Sequence, residues 1–185
     1  MEDRASERIK ESLKRAAGAL RDADIRFILG GGLAVWARGG PATEHDLDLM
    51  VKPEDAERAL EVLAEAGMRP ERPPEGWLYK AWDDDVLIDL IFRPVGDPVD
   101  ESLFERAEEL EVSAVPMLVM SLEDVMATKL KALNEHELDY ERPLEFARSL
   151  REQIDWQDVR QRTDSSPYAK AFFTLLEELN IVERS

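Results

Sequence analysis

The chain has no cysteine among its 185 residues, which excludes disulfides, thiolate metal sites and a cysteine nucleophile. It also lacks an apolar run long enough to cross a membrane. The N-terminal residues Met1–Ala5 are charged and lack the apolar core of a signal peptide. These absences predict a cytoplasmic protein with no membrane partner. Its length allows one domain, or one core domain with a small appendage.

Positive charge is scarce, since 24 lysines and arginines stand against 41 acids, which gives a formal net charge of −17. General nucleic-acid binders neutralise phosphates with lysine and arginine, so nucleic acid is a poor default partner. This excess of negative charge suits a cationic or neutral molecule as the acceptor in a reaction, or a protein partner with a basic surface. The acids concentrate between Asp97 and Asp124, where Arg106 is the only base. A merely soluble, acidic surface is an equally good explanation.

Two aspartates, Asp46 and Asp48, stand in a predicted strand over Asp46–Val51. Side chains alternate along a strand, so both carboxylates point to the same face. Neighbouring carboxylates repel each other, and a cation between them removes that repulsion. For such a pair taken alone, a solvated strand face is the commoner explanation, because aspartate is mostly exposed.

Three glycines, Gly30–Gly32, separate a predicted strand at Ile25–Leu29 from a predicted short helix at Leu33–Arg38. Glycine lets a phosphate approach the backbone, and the start of a helix offers free N–H groups. A glycine triplet taken alone is usually just a turn. Followed by the two aspartates, it predicts a phosphate cradle beside a metal site.

A third aspartate, Asp89, interrupts the apolar run Val86–Phe92, which is typical of a buried strand. An unpartnered carboxylate there would cost several kcal/mol, so Asp89 needs a partner. A metal ion shared with Asp46 and Asp48 is the natural one, and a paired acid in the core is the alternative. Together the glycines and the three acids predict an enzyme that handles a nucleoside triphosphate with the help of a bound metal ion.

Strand and helix patterns alternate up to Met120, and the rest of the chain has the periodicity of helices. We therefore expect an α/β (α+β) fold, with a mixed-sheet core at 1–120, a helical subdomain at 121–185 and the site between them. Arg69–Glu75 is predicted to be a loop, and Asp83–Asp85 a solvated hairpin turn. Helices are predicted at 5–22, Pro53–Ala66, Glu101–Leu110, Leu122–Leu133, Pro143–Arg151, Trp156–Arg162 and Pro167–Leu179, and a strand at Val112–Met120.

The order of these motifs resembles the signature of the nucleotidyltransferase superfamily that includes DNA polymerase beta. Gly31 and Gly32 match its glycine pair, Asp46 and Asp48 its paired acids, and Asp89 its third acid. Within the superfamily, the chain resembles the abortive-infection toxin-type and the small aminoglycoside-type nucleotidyltransferases. The resemblance covers most of the chain and implies a mixed-sheet core followed by helices.

The helical stretch Ser121–Leu133 is also similar to the toxin type, in which a lysine of this helix contacts the nucleotide. Lys129 is the best match, and Lys131 is the alternative. Before the paired acids, Pro41-Ala42 stand where the toxin type usually has a basic residue, which leaves Arg38 or Lys129 to supply that charge. The same loop contains Thr43 and His45; His45 can orient a phosphate or the acceptor, or simply cap a backbone group.

The resemblance implies that an acceptor hydroxyl attacks the α-phosphate of a nucleoside triphosphate and that pyrophosphate leaves. The acids would hold Mg²⁺, and the glycines and the lysine would bind the triphosphate; these residues are Asp46, Asp48, Asp89, Gly31, Gly32 and Lys129. The favoured acceptor is a small molecule or a protein. The alternatives are an RNA-modifying enzyme of a toxin–antitoxin pair, acting for example on tRNA, and a non-enzymatic relative of the fold.

Three aromatic residues, Trp77, Tyr79 and Trp82, follow the spacing of a strand. Their rings can stack on a nucleobase, but packing in the core or across a hairpin is the commoner role of such residues. The sequence leaves both roles open.

Overall fold

The structure is a computed structural model that describes residues 2–41 and 46–183, with side chains from residue 7 onward. Within these residues, seven strands form one mixed sheet in the order β3-β4-β5-β2-β1-β7-β6, and eight α-helices accompany it. The expected α/β class is therefore confirmed. No helix in the described part of the chain is long and apolar enough to cross a bilayer.

The strands are β1 (Ile28–Leu29), β2 (Asp46–Met50), β3 (Arg69–Glu71), β4 (Leu78–Asp83), β5 (Val86–Ile91), β6 (Glu108–Val112) and β7 (Val115–Val119). The helices are α1 (Glu2–Asp22), α2 (Gly31–Ala37), α3 (Ala56–Glu65), α4 (Glu101–Arg106), α5 (Leu122–Ala132), α6 (Glu141–Leu150), α7 (Trp156–Arg162) and α8 (Pro167–Glu178). A short 3-10 turn at Pro94–Gly96 connects β5 towards α4.

The centre of the sheet is the parallel pair β2 and β5. Their alternate residues Leu47, Leu49, Ile88 and Leu90 are fully buried. Helices α1 and α3 contact these strands, so the apolar face of the pair belongs to the core. Because side chains alternate, the opposite face is left for the aspartates.

Two edge strands differ from the sequence expectation. Arg69–Glu71 was expected in a loop but pairs with β4 as strand β3, and all three of its residues are exposed. Residues 108–110 were expected in a helix, yet α4 ends at Arg106 and β6 follows. A turn at Ser113 and Ala114, both with positive φ, then reverses the chain into β7.

Asp83 corrects the expectation of a fully solvated turn. It is only 7% exposed. Ser12 Oγ donates a hydrogen bond to Asp83 Oδ2 over 2.7 Å, and the guanidinium of Arg15 pairs with the other oxygen. Asp83 therefore ties α1 to the β4–β5 hairpin, whereas Asp84 and Asp85 are exposed as expected.

After the last strand the chain is helical, from α5 to α8. Helix α5 begins where predicted, because Ser121 Oγ accepts a hydrogen bond from the N–H of Asp124 over 3.1 Å. The same helix contacts α2 and the 3-10 turn, which places it beside the sheet. The division into a core at 1–120 and a helical subdomain at 121–185 stays a prediction.

Candidate active site

The three aspartates singled out in the sequence lie together on β2 and β5. The register of these parallel strands places Asp48 beside Asp89, and Asp46 stands two residues before Asp48 on the same face. One carboxylate oxygen from each residue lies within 4.8 Å of the other two. At this spacing a single divalent cation can contact all three residues.

The surroundings of Asp48 and Asp89 disfavour the negative charge of their carboxylates. Burial, followed by repulsion from Asp46, raises the pKa of Asp48 to about 7. Burial also raises the pKa of Asp89 to about 6, although nearby Lys80 lowers it in part. Asp89 is only 8% exposed, and its Oδ1 has no hydrogen-bond partner among the described residues. The nearby Lys80 Nζ lies 3.9 Å from this oxygen.

These pKa values predict a pH-dependent stability for the metal-free protein. A carboxyl whose pKa is raised on folding contributes stability below about pH 4, and the contribution is lost as the pH rises through 6 to 7. The variant Asp48→Asn cannot acquire the negative charge that Asp48 carries once it is deprotonated. In EDTA at pH 8 we therefore expect a free energy of unfolding about 2 to 4 kcal/mol above that of the unmodified chain.

Urea denaturation between pH 8 and pH 5 measures this difference, which should shrink towards the lower pH. Addition of Mg²⁺ at pH 8 should stabilise the unmodified chain more than the variant, since only the former keeps all three carboxylates. A difference in stability that stays constant over this pH range contradicts the prediction.

Gly31, the first residue of α2, lies directly against Asp48. Its φ is +54°, and a Cβ built on it would stand 1.6 Å from Asp48 Oδ2. Glycine is thus required here because the carboxylate occupies the space of a side chain. The sequence had suggested a different reason, the approach of a phosphate, and that role of Gly31 and Gly32 stays a prediction.

A cavity of about 660 Å³ opens beside Asp48, between the sheet, the 3-10 turn and α5. Lys129 of α5 lines this cavity together with Gly31 and Asp48. Its Nζ also lies 5.6 Å from the centroid of the Phe146 ring. The alternative candidate, Lys131, lies outside this cavity and lines a neighbouring hollow.

Sequence reasoning missed Arg93, an exposed residue that lines the same cavity. The signal was present, because continuing the alternation of β5 from Asp89 through Ile91 places Arg93 on the same face. No ion-pair partner of Arg93 is found within residues 7–41 and 46–183. It adds a second positive charge to the cavity.

The three aromatic candidates separate in the structure. Trp77 lines the cavity. Tyr79 packs against Phe92, with ring centroids 4.9 Å apart, and Trp82 Nε1 donates a hydrogen bond to Glu71 Oε2 over 3.0 Å. Only Trp77 of the three is therefore placed to contact a ligand beside Asp48.

Other residues of the sequence hypothesis lie elsewhere. Arg38 forms an ion pair with Glu108 at 2.7 Å and donates a hydrogen bond to the carbonyl of Met120 over 3.2 Å, so its charge serves the fold. Lys129 is then the remaining alternative for the missing positive charge. Thr43 and His45 lie outside the described residues.

Comparison with known proteins identifies a matching family and solved structures with a similar fold. The family described as "Uncharacterised nucleotidyltransferase" matches residues 2–180. A search of curated proteins gives no match. The solution structure of antibiotic-resistance factor ANT(2'')-Ia is similar over 97% of this chain and 98% of its own, with a TM-score of 0.65 and 15% identity.

Two further structures share the fold. ANT(2'')-Ia in complex with adenylyl-2''-tobramycin matches 88% of this chain and 98% of its own, with a TM-score of 0.65 and 14% identity. The lincosamide antibiotic adenylyltransferase LnuA, with lincomycin bound, matches 83% of this chain and 97% of its own, with a TM-score of 0.53 and 11% identity.

Proposed function

The chain belongs to the nucleotidyltransferase family that matches residues 2–180, and from this premise we propose that it transfers a nucleoside monophosphate from a nucleoside triphosphate to a hydroxyl of a small molecule or protein. The observation that carries the proposal is the convergence of Asp46, Asp48 and Asp89 beside a cavity with its own lysine. We propose that the reaction depends on Mg²⁺.

The donor set fits a magnesium ion. Carboxylate oxygens are the ligands that Mg²⁺ prefers, and three converge here. The buried Asp89 Oδ1, which has no hydrogen-bond partner among the described residues, is the kind of atom that a cation would satisfy. When bound to Asp46, Asp48 and Asp89, Mg²⁺ supplies positive charge to the triphosphate and lowers the pKa of a contacting hydroxyl.

In the proposed reaction, the acceptor oxygen forms a bond with the α-phosphorus, and the bond from that phosphorus to its oxygen bridging to the β-phosphate breaks. Pyrophosphate leaves with this oxygen. Asp89 is the residue that we expect to assist removal of the hydroxyl proton, because its carboxylate lies beside those of Asp46 and Asp48. Lys129 would offset the negative charge of the phosphates from the α5 side.

The acceptor is proposed to be a small molecule or a protein side chain. The net charge of −17 makes RNA, including the tRNA of a toxin-like enzyme, a poor acceptor. The structural similarity to an antibiotic-resistance factor and to a lincosamide adenylyltransferase supports a small-molecule acceptor.

The test is incubation with each of the four α-labelled nucleoside triphosphates and Mg²⁺, against a small-molecule extract, a protein extract and total RNA. We expect label in the small-molecule or the protein fraction, and none in a parallel reaction with EDTA. Label only in the RNA fraction contradicts the proposed acceptor class. Absence of transfer with every triphosphate contradicts the proposed reaction.

Lys129→Ala is expected to raise the KM for the triphosphate, or to lower kcat, by about 10- to 100-fold. The reason is that a charged contact to phosphate in a partly buried site is worth about 1.5 to 3 kcal/mol. Steady-state kinetics measures this, and Mg²⁺ binding should not change. Lys131→Ala is the matched control, since Lys131 lies outside the cavity and should change neither constant more than about twofold. A larger effect at Lys131 than at Lys129 reverses the assignment.

A further inference from the structure

We propose that Trp77 and Val95 form the nucleobase site, in which the base stacks on the Trp77 ring and packs against the Val95 side chain. The inference rests on the proposed function and assigns the apolar wall of the cavity beside Asp48. Both residues line that cavity.

The first observation is the exposure of these two side chains. The described part of the chain has four large apolar side chains that are exposed, and Trp77 at 39% and Val95 at 44% are two of them. Exposed apolar groups that share one cavity mark a ligand site, because water is a poor neighbour for both. A tryptophan ring offers the large flat surface on which any base can stack.

The second observation is the backbone of Val95. Its φ is +54°, a conformation that a β-branched residue rarely adopts because its Cβ crowds the backbone. Pro94 before it and Gly96 after it, with φ +88°, complete the 3-10 turn. Such strain persists where the side chain is needed in one place, and here that place is the cavity wall.

The third observation is the position of the cavity relative to the acids. Of the three aspartates, only Asp48 lines it, whereas Asp46, Asp89 and the neighbouring Lys80 do not. Attack at phosphorus requires the acceptor and the leaving pyrophosphate on opposite sides. The nucleotide therefore takes the cavity, and the acceptor approaches from the side of Asp89 and Lys80.

Distances along the sheet agree with this placement. The Trp77 carbonyl accepts hydrogen bonds from the N–H groups of Phe92 and Arg93, each over 3.1 Å. Trp77 is thus held three to four residues beyond Asp89, which is about 10 to 13 Å along the strand direction. This span is comparable to that from an α-phosphate to the far edge of its base. The cavity floor between them is apolar, with Met50, Ile91 and Met120.

The experiment separates the base from the phosphates. Isothermal titration with Mg²⁺ measures binding of the α,β-methylene analogues of ATP, GTP, CTP and UTP, and of inorganic tripolyphosphate. Trp77→Ala should weaken the tightest analogue by about tenfold, the effect of losing a stacked ring. The Kd of this variant for tripolyphosphate should stay within about twofold of that of the unmodified chain, because tripolyphosphate has no base to stack.

Two variants at tryptophan serve as controls. Trp82→Ala removes the same side chain outside the cavity, where Trp82 contacts Glu71 and Arg69, and should leave analogue binding unchanged. Trp77→Phe keeps an aromatic face, so its Kd for the analogue should stay within about threefold of that of the unmodified chain.

Val95→Gly gives an independent test, since it removes the strain and the contact together. We expect unchanged or higher thermal stability together with weaker analogue binding. A loss of both would mean that Val95 serves only the fold, which overturns its assignment.

Two results overturn the base site while leaving the proposed function intact. One is equal affinity of Trp77→Ala and the unmodified chain for the analogue. The apolar wall of the cavity would then be assigned to binding an apolar acceptor instead of the base. The other is equal weakening of the analogue and tripolyphosphate. If the unmodified chain binds no nucleoside triphosphate analogue, the nucleotidyltransferase proposal itself fails.

Discussion

Asp48→Ala is expected to lower the rate of nucleotide transfer by at least about 1,000-fold. Of the three acids, Asp48 lies at the cavity, packs against Gly31 and is paired in register with Asp89. If the three carboxylates hold Mg²⁺ as proposed, removing one of them weakens the binding of this ion and leaves the negative charge of the phosphates uncompensated. Preorganised charge of this kind contributes about 3 to 4 kcal/mol or more to a transition state.

The stability of Asp48→Ala distinguishes a functional from a structural role. Because burial already disfavours the ionised Asp48, the alanine variant should unfold in EDTA at pH 8 no more easily than the unmodified chain. The stabilisation by added Mg²⁺ should be strongly reduced. Asp85→Ala is the matched control, since the ion pair of Asp85 with Arg8 is more than half exposed on both sides and should matter little. Transfer at a tenth or more of the normal rate would remove Asp48 from the catalytic site.

The sequence was sufficient to identify the three acids, because the orientation or burial of each one follows from the residues next to it. Alternation fixes Asp46 and Asp48 on one face, and an apolar run makes Asp89 a buried acid that needs a partner. The adjacency of β2 and β5 is different, since these strands are joined by about 35 residues that include α3 and two other strands. No local pattern brings two such strands together; the resemblance of the motifs indicated that the third acid lies on an adjacent strand, and the structure supplies the register.

The sequence predictions that were wrong concern segments with a weak burial pattern, or residues whose contacts are far away in the sequence. Strand β3 is exposed at all three residues and contains Pro70, so it has the composition of a loop, and it is ordered by pairing with β4 and by contacts with α3. Asp83 resembles its exposed neighbours in sequence, and its burial depends on Arg15, which is 68 residues away. The positive φ of Val95 likewise has no signal in its own residue type, because valine disfavours that conformation.

Gly31→Ala is expected to reduce transfer by at least about 100-fold, although it adds a single methyl group. The new Cβ would overlap Asp48 Oδ2 at 1.6 Å, so the carboxylate or the start of α2 has to move. A displacement of about 1 Å in a catalytic group can by itself cost about 100-fold. The clash and the φ of +54° should together lower the free energy of unfolding by about 2 to 4 kcal/mol.

Gly39→Ala separates the clash from the backbone strain. Gly39 also has a positive φ, +88°, but a Cβ there would meet no described atom within 4 Å. We therefore expect a loss of only about 1 kcal/mol in the free energy of unfolding and nearly full transfer activity. Urea denaturation and the labelled-triphosphate assay on both variants make the comparison. Equal activity of the two variants would mean that Asp48 can move without loss of function, which is incompatible with its proposed role as a fixed metal ligand beside Asp46 and Asp89.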